Sequence, residues 1–202
     1  QIEKLVPLLK FIKDENIKTP ISIDTRSSQV SEVCLENGAD IINDVSGFEY
    51  DSELAKVVAK HGCPVIIQHT KGNPENMQVS PEYKNLTDEI FNDLKKRLDY
   101  AISVGIEREN IILDVGIGFG KKREDNFNLI KRAEEFKSLN QPLMYGVSRK
   151  SLLGMPDAPN SEKDMYSLAL NSILISRGIN FLRVHNVEIH KKYLDMIKST
   201  LI

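Results

Sequence analysis

Six short apolar runs recur along this chain, and each ends in a polar residue that can form hydrogen bonds. The runs are rich in Val, Ile and Leu and are bounded by turn-forming residues, which is typical of buried strands. A loop and then a segment of helical periodicity follow each run. The predicted strands are 19–25, 40–45, 64–69, 110–115, 142–147 and 180–185.

Amphipathic segments around these runs predict helices, and glycines such as Gly62 mark several of their ends. Asp51 is the expected cap of the helix that runs through His61. The connection after the third strand, TKGNPENMQVSPEY, is longer than a simple turn requires, and such loops tend to carry function or act as lids. The predicted helices are 1–14, 28–37, 51–61, 86–104, 124–138, 162–177 and 187–199.

The alternation of strand and helix predicts an α/β fold with a parallel sheet. A TIM (β/α)8 barrel of this kind needs eight strands and about 250 residues. The sequence has 202 residues, with no repeat or linker that would divide it. We therefore expect one barrel domain over residues 1–202 that contains six of the eight βα units, with the first two missing. The opening helix has no start signal before it, so the chain is expected to lack its beginning.

The polar residues at the strand ends predict a catalytic site. Parallel strands bring their carboxyl ends to one face, which is where barrel and open α/β enzymes hold their chemistry. Six side chains from six separate elements would converge on one pocket there. They are Asp24, Asn43, His69, Asp114, Lys150 and Arg183.

Composition narrows the class of partner. The net charge is −2 and 41% of the residues are hydrophobic, so neither nucleic acid nor an anionic membrane is expected as the main partner. No apolar stretch approaches the ~20 residues of a membrane span, and no signal peptide is recognised. Cys34 and Cys63 lack metal-ligand spacing and fit a reduced cytosol.

The glycine-rich segment 116–121 does not match a nucleotide-binding motif. A Walker A loop needs Gly where Val115 stands and Ser or Thr where Lys122 stands. A dinucleotide fingerprint needs Gly where Lys121 stands. Two interpretations stay open, a tight structural loop or a loop whose backbone approaches a ligand beside Asp114.

Asp24 and Asp114 end apolar strands, where an unpaired carboxylate is costly to bury. Each is either a structural aspartate that caps the next helix or a partner for a ligand with adjacent N–H donors, such as an amino-pyrimidinone ring. Asn43 offers a donor and an acceptor to the same kind of heterocycle.

Basic residues follow the last two strands. The segment 148–151 (SRKS) is either a solvated turn or a set of two cations and two hydroxyls at the pocket mouth. Arg183 and His185 alternate along the sixth predicted strand and so face one side, which suits a phosphate or diphosphate. His61 and His190 are expected to be ordinary surface residues.

Six motifs of this chain resemble those of the dihydropteroate synthase family. They are, in chain order, ISIDT, GADIINDVSG, QHTKGNPENMQ, ILDVGIGFGK, GVSRKSLLG and LRVHNV, and SRKS with RVH is the most specific part. The resemblance covers essentially the whole chain. It implies a (β/α)8 barrel that condenses 6-hydroxymethyl-7,8-dihydropterin diphosphate with 4-aminobenzoate in folate biosynthesis. The expected products are dihydropteroate and diphosphate, with assistance from Mg²⁺.

The resemblance also implies a pterin site and its catalytic groups. Asp24, Asp114 and Lys150 would be catalytic and would hold the pterin. Asn43 would complete the contacts to the pterin ring.

The other two ligands have their own implied residues. Arg183 and His185 would bind the diphosphate, while Ser151 and Phe119 would lie against the 4-aminobenzoate. No metal ligand is implied within the sequence, because the expected Asn belongs to an N-terminal segment, Asn-x-Thr-Pro-Asp-Ser, that this chain does not contain.

Further departures from the family pattern qualify these expectations. The Ser-Thr-Arg-Pro segment near the aminobenzoate is absent, Val115 replaces a proline, and Asn186 replaces an aspartate. We expect the pterin pocket to survive the last two changes, and the isolated chain to be poorly active without the missing strands. The resemblance further implies a cytoplasmic homodimer.

Three alternatives stay open. A pterin-binding methyltransferase domain, which moves a methyl group from a folate to a corrinoid, shares the Asp/Asn/Asp pattern but has no need for SRKS or RVH. A non-catalytic pterin-binding module would lack turnover. A Schiff-base aldolase using Lys150 would require an apolar pocket that lowers the lysine pKa.

Overall fold

Strands and helices alternate along this protein. The structure, a computed structural model, describes residues 1–72 and 81–200. The strands are β1 Ser22–Asp24, β2 Ile41–Asp44, β3 Val65–Gln68, β4 Ile111–Asp114, β5 Leu143–Tyr145 and β6 Phe181–Leu182. The helices are α1 Ile2–Asp14, α2 Ser28–Glu36, α3 Glu53–His61, α4 Leu86–Ser103, α5 Arg123–Lys131, α6 Asn160–Ser176 and α7 Val187–Lys198. Short 3-10 helices cover Arg108–Asn110, Ala133–Leu139 and Ser151–Leu153.

The strands pair in chain order, β1-β2-β3-β4-β5-β6. The pairs β1–β2, β2–β3 and β5–β6 are parallel, and a helix connects the members of each pair, as parallel strands require. The predicted α/β class and the six βα units are confirmed.

The chain divides into two compact units, and the single domain expected over residues 1–202 stays a prediction. The first unit comprises residues 1–69 and 92–113. Its β2 and β3 contain no exposed residue, as is usual for the buried strands of a parallel sheet. Ile42, Val65 and Ile67 are among its fully buried side chains.

The second unit comprises residues 70–91 and 114–202, and its core is built around β5. Tyr145 of β5 is fully buried, and its hydroxyl donates to the carbonyl of Leu129 at 3.4 Å. Burial raises the pKa of Tyr145. Phe136 and Leu174 are likewise fully buried in this unit.

Several helix ends follow their sequence signals. Gly62 closes α3 in the left-handed conformation, with φ of 62°. Asp51 accepts the backbone N–H of Glu53 at 3.1 Å, as expected of a cap, and its second carboxylate oxygen accepts the N–H of Ser28 at 2.7 Å. One carboxylate therefore serves the starts of two helices, α3 and α2.

Several predicted elements are shorter in the structure, among them the first strand, which was predicted over 19–25 and covers only Ser22–Asp24. The helix predicted over 124–138 ends at Lys131, and a 3-10 helix follows. Ala133, Phe136 and Leu139 are all buried, and their spacing of three fits the 3-10 repeat. The sixth strand, predicted over 180–185, ends at Leu182.

Residues 73–80, the centre of the loop predicted to carry function or act as a lid, lie outside the described residues. Within the part of the chain that the structure describes, no helix is long and apolar enough to cross a membrane.

Candidate active site

The second unit contains a cavity of about 280 Å³ between the segments that follow β5 and β6. Both segments continue directly from parallel strands, so the fold brings their polar residues together. The cavity is lined by Gly146, Ser148, Lys150, Arg183, Val184 and His185.

Arg183 is held at the cavity by a buried carboxylate. Its Nη1 donates to Oδ2 of Asp114 at 3.0 Å, and its Nη2 lies 3.1 Å from the sulfur of Met144. Asp114 is 1% exposed, and its other oxygen accepts the N–H of Gly116 at 2.8 Å. Burying this carboxylate is tolerable because a cation and a backbone donor both satisfy it.

Lys150 is a partly buried cation on the same cavity. Its amine donates to the carbonyl of Ile117 and lies 4.6 Å from the centre of the Phe119 ring. Desolvation lowers the pKa of Lys150 from 10.5 to about 8, while Asp114 acts in the opposite direction and Arg183 adds to the lowering. At pH 7 the side chain is therefore still mainly protonated.

His185 is oriented by Ser148, which lies on the opposite segment of the cavity. The serine Oγ is 2.9 Å from Nδ1 of His185 and accepts the backbone N–H of His185 at 3.2 Å. Ser148 is 4% exposed, so this contact is largely shielded from water. His185 is thus bound through both its ring and its backbone to Ser148, on the segment that follows β5.

The glycine-rich loop beside Asp114 is fixed by two side chains of its own region. Lys121, which is 4% exposed, donates to the carbonyls of Gly116 and Phe119, each at 2.9 Å. Asn126 accepts the N–H of Gly118 at 2.7 Å. Gly118 has φ of 82°, and a Cβ there would lie 3.1 Å from Cδ of Lys150. The loop is a tightly held structure whose backbone contacts Lys150.

Asp24 and Asn43 belong to the first unit. They are partners in the register of β1 and β2, so these two strand ends lie side by side as predicted. Asn43 is buried, whereas Asp24 is exposed. His69 is also buried, and its Nε2 lies 3.9 Å from the carboxylate of Asp93. Convergence of all six strand ends on one pocket stays a prediction.

The basic residues differ from expectation in two ways. Arg149 does not line the cavity with Lys150, because it forms a two-point ion pair with Asp164 at 2.7 and 2.8 Å. Arg183 and His185 do not alternate along a strand, since β6 ends before them, yet both line the cavity.

Two further placements concern Ser151 and His190. Ser151 is exposed at the start of a 3-10 helix. His190 is not a surface residue, because it is 2% exposed and its Nδ1 lies 2.8 Å from the Asn186 carbonyl. Its spacing of four residues from buried Leu194 was a sequence signal for this burial.

Sequence reasoning missed Asp164, Lys121 and Asn126 as residues that shape this region. Asp164 lies in the first turns of a helix, where an acidic residue is ordinarily explained by the helix dipole. Lys121 adjoins Lys122 and suggests a solvated pair. Only the buried contacts described above distinguish these residues from surface ones.

No metal site is recognisable in residues 1–72 and 81–200. In these ranges no group of three or more His, Cys, Asp or Glu side chains is arranged to hold a metal ion. The charged residues at the cavity are mainly cations, which suits an anion rather than a metal.

Comparison with known proteins identifies the family. The pterin binding enzyme family matches residues 1–185. The dihydropteroate synthase of Clostridium beijerinckii is 41% identical over 189 residues, covering 93% of this chain and 67% of that protein. The Synechocystis dihydropteroate synthase is 36% identical over 190 residues, covering 93% and 65%. The chain thus spans about two thirds of the length of these relatives.

Solved structures agree with these matches. The Yersinia pestis dihydropteroate synthase in a complex with a sulfonamide drug has a TM-score of 0.92 at 28% identity, covering 98% of this chain and 72% of that chain. The Thermus thermophilus dihydropteroate synthase in complex with 4-aminobenzoate has a TM-score of 0.88 at 30% identity, covering 98% and 80%. The chain therefore belongs to the pterin binding enzyme family and, within it, to the dihydropteroate synthases.

Proposed function

We propose that this protein condenses 6-hydroxymethyl-7,8-dihydropterin diphosphate with 4-aminobenzoate, giving dihydropteroate and diphosphate. The observation that carries the proposal is the grouping of Lys150, Arg183 and His185 around one cavity. A pterin-binding protein that handles no diphosphate has no need of this basic group. The complex of the Thermus thermophilus relative with 4-aminobenzoate supports the second substrate.

In the proposed reaction, the bond between the pterin methylene carbon and the diphosphate oxygen breaks, and the diphosphate leaves with the electron pair. The amine of 4-aminobenzoate then forms a C–N bond to the methylene carbon and loses a proton. Negative charge develops on the leaving oxygen. Arg183 and His185 would stabilise it, because Asp114 and Ser148 fix their orientations before the substrate arrives.

Asp24, Asn43, Asp114 and Lys150 are proposed to hold the pterin, with Asp24, Asp114 and Lys150 as the catalytic residues. A carboxylate has about four lone-pair positions. Asp114 uses two of these positions to accept hydrogen bonds from Gly116 and Arg183, and it can accept further N–H groups from an amino-pyrimidinone ring.

Phe119 and Ser151 are proposed to contact the 4-aminobenzoate. The Phe119 ring lies beside the Lys150 amine, so an aminobenzoate in contact with Phe119 would lie next to the basic cavity. Ser151 is exposed immediately after Lys150, where a substrate can reach it.

The proposal includes three features that rest on the resemblance. They are Mg²⁺ as the cofactor, a homodimer as the assembly and the cytoplasm as the location. The described residues do not offer a metal cage, so no step is assigned to the ion. The two buried cysteines are free thiols, which suits a reducing compartment. Light scattering on the purified chain would measure its oligomeric state.

The proposal is tested by calorimetry and by turnover with the full chain. The pterin diphosphate is expected to bind more tightly than the same pterin without diphosphate, and adding 4-aminobenzoate should release diphosphate. His185→Gln should weaken binding of the pterin diphosphate on the order of tenfold, because it removes a charge-assisted contact. Arg108→Met, which changes an exposed cation of the first unit, is the control.

Equal affinity for the two pterins would contradict the proposal and favour a module that recognises the ring alone. Release of diphosphate at any measurable rate, however slow, supports the catalytic part, and tight binding with no release at all would contradict it.

A further inference from the structure

A buried carboxylate on α6 contacts both segments that form the basic cavity. Asp164 is 2% exposed and accepts Nε and Nη2 of Arg149 at 2.7 and 2.8 Å. Its Oδ2 also accepts the side-chain amide of Asn186 at 3.2 Å. The hydrogen bond from Arg149 holds the pKa of Asp164 below its usual range. Asp164 is thus an ionised group with three donors from two different chain segments.

The first contact fixes the turn that presents Lys150. Arg149 immediately precedes Lys150 and has φ of 55°, a left-handed conformation that is unfavourable for a residue with a side chain. Its side chain is fixed by Asp164, and its backbone N–H donates to Oγ of Ser167 at 3.1 Å. Two residues of α6 therefore compensate for the backbone strain and hold the direction in which the next residue leaves the turn.

The second contact fixes the residue that follows His185. Asn186 donates its amide to Asp164, while its Oδ1 accepts the N–H of Ile189 at 3.2 Å and so caps α7. A hydrogen-bond donor is needed at this position, because the group that it meets is a carboxylate. The backbone leaving His185 is in this way joined to α6 as well as to α7.

We propose that Asp164 is a positioning residue of the anion pocket, which acts by holding Lys150 and His185 in one arrangement through Arg149 and Asn186. It touches no substrate. The inference rests on the proposed function for the identity of the anion, but the arrangement of the two side chains can be measured without any ligand.

The test uses Asp164→Asn and Asn186→Asp in the full chain. Asp164→Asn removes the charge that pairs with Arg149. Asn186→Asp keeps an acceptor for the α7 cap but places a second carboxylate against Asp164, where the two would repel each other. Asp157→Asn is the matched control, because Asp157 is an exposed aspartate between Lys150 and the start of α6.

Two quantities are measured below the unfolding transition of each variant. Calorimetry gives the affinity for inorganic diphosphate, and nitrogen-15 NMR of the unliganded protein gives the ring signals of His185, assigned with His185→Gln. Both Asp164→Asn and Asn186→Asp should lower the affinity on the order of tenfold and shift the His185 signals, since groups that are no longer held in one arrangement bind the anion less well. The control should change neither quantity.

The double variant D164N/N186D exchanges the carboxylate and the amide between the two positions, and it should recover part of both losses. A role limited to overall stability would lower the unfolding midpoint without moving the His185 signals. That result, or wild-type values in either single variant, would overturn the inference. Failure of the wild type to bind diphosphate would instead refute the proposed function, while the NMR comparison would still decide the role of Asp164.

Discussion

Replacing Lys150 with Met is expected to make the protein more stable at neutral pH, although it removes a residue of the proposed active site. Desolvation lowers the pKa of this lysine from 10.5 to about 8, so at pH 7 the folded protein holds a charge that the surroundings disfavour. Between these pKa values the unfolded chain binds the proton more strongly than the folded one. The stability that Lys150 removes at neutral pH is therefore regained progressively as the pH rises from about 8 to 10.5.

The size of the effect follows from the pKa and one hydrogen bond. The lowering of the Lys150 pKa corresponds to about 3 kcal/mol at pH 7, at about 1.4 kcal/mol for each pKa unit. Met also loses the hydrogen bond to the Ile117 carbonyl, worth about 1 kcal/mol. The net gain at pH 7 should be about 2 kcal/mol. By about pH 9.5 most of this net gain should disappear, because the folded wild-type protein has then released the disfavoured proton, and the remaining penalty is close to the value of the hydrogen bond.

Urea unfolding followed by circular dichroism at about pH 7, 8 and 9.5 measures this change. Burial raises the pKa of the Cys34 and Cys63 thiols, but comparison of variant and wild type at the same pH cancels their contribution. Lys96→Met, at an exposed position on α4, is the control and should show no such dependence on pH. In parallel, Lys150→Met should bind inorganic diphosphate more weakly. The explanation would be refuted by a variant that is less stable than wild type at pH 7. It would also be refuted if the difference in free energy of unfolding between variant and wild type were the same at every pH.

Three further substitutions test the packing within the two units. Arg97→Leu should lower the free energy of unfolding by about 3 kcal/mol in urea titration, because Nη1 of this buried arginine donates to two backbone carbonyls at 2.6 and 2.9 Å. Gly118→Ala should destabilise the protein by roughly 1–2 kcal/mol and weaken diphosphate binding, since its Cβ would crowd Lys150; Gly38→Ala, also at positive φ but in open space, should leave binding unchanged. Phe136→Ala should destabilise by about 4 kcal/mol in the same titration, and a loss under 1 kcal/mol would contradict its assignment to the core.

Much of the fold could be predicted from the sequence because its elements have strong local signals. The apolar runs at β2 and β3 are buried on both faces, so hydrophobicity alone located them. Gly62 ended α3 where predicted, because a glycine readily takes the left-handed conformation that closes a helix. Signals failed where tertiary packing decided the outcome. The end of α5 at Lys131 is one case, because the spacing of three between Ala133, Phe136 and Leu139 fits one face of an α-helix as well as the 3-10 helix that forms.

The candidate site was predictable at the level of residue type and less so at the level of partners. The cations after β5 and β6 were expected at one pocket, and Lys150, Arg183 and His185 line one cavity. One of the two interpretations of the SRKS segment placed Arg149 beside them, but it pairs instead with Asp164, which is 15 residues away along the chain. A sequence gives the distance between such residues along the chain but not their distance in space, so the pairing could not be foreseen.

The basic residues near the cavity differ in the groups that compensate their positive charge, and they therefore differ in function. Arg149 is paired with buried Asp164 and Arg183 with buried Asp114, so each arginine is held in place by an opposite charge. The described contacts of Lys150 are instead a backbone carbonyl and an aromatic ring. The negative charge of Asp114 attracts Lys150, but the positive charge of Arg183 opposes this attraction. The charge of Lys150 is the least compensated of the three, and a bound anion therefore gains most from it. The desolvation that makes Lys150 unfavourable in the empty protein also strengthens its attraction to an anion, because water no longer screens the pair. Loss of stability and gain of affinity at this residue thus have one physical origin.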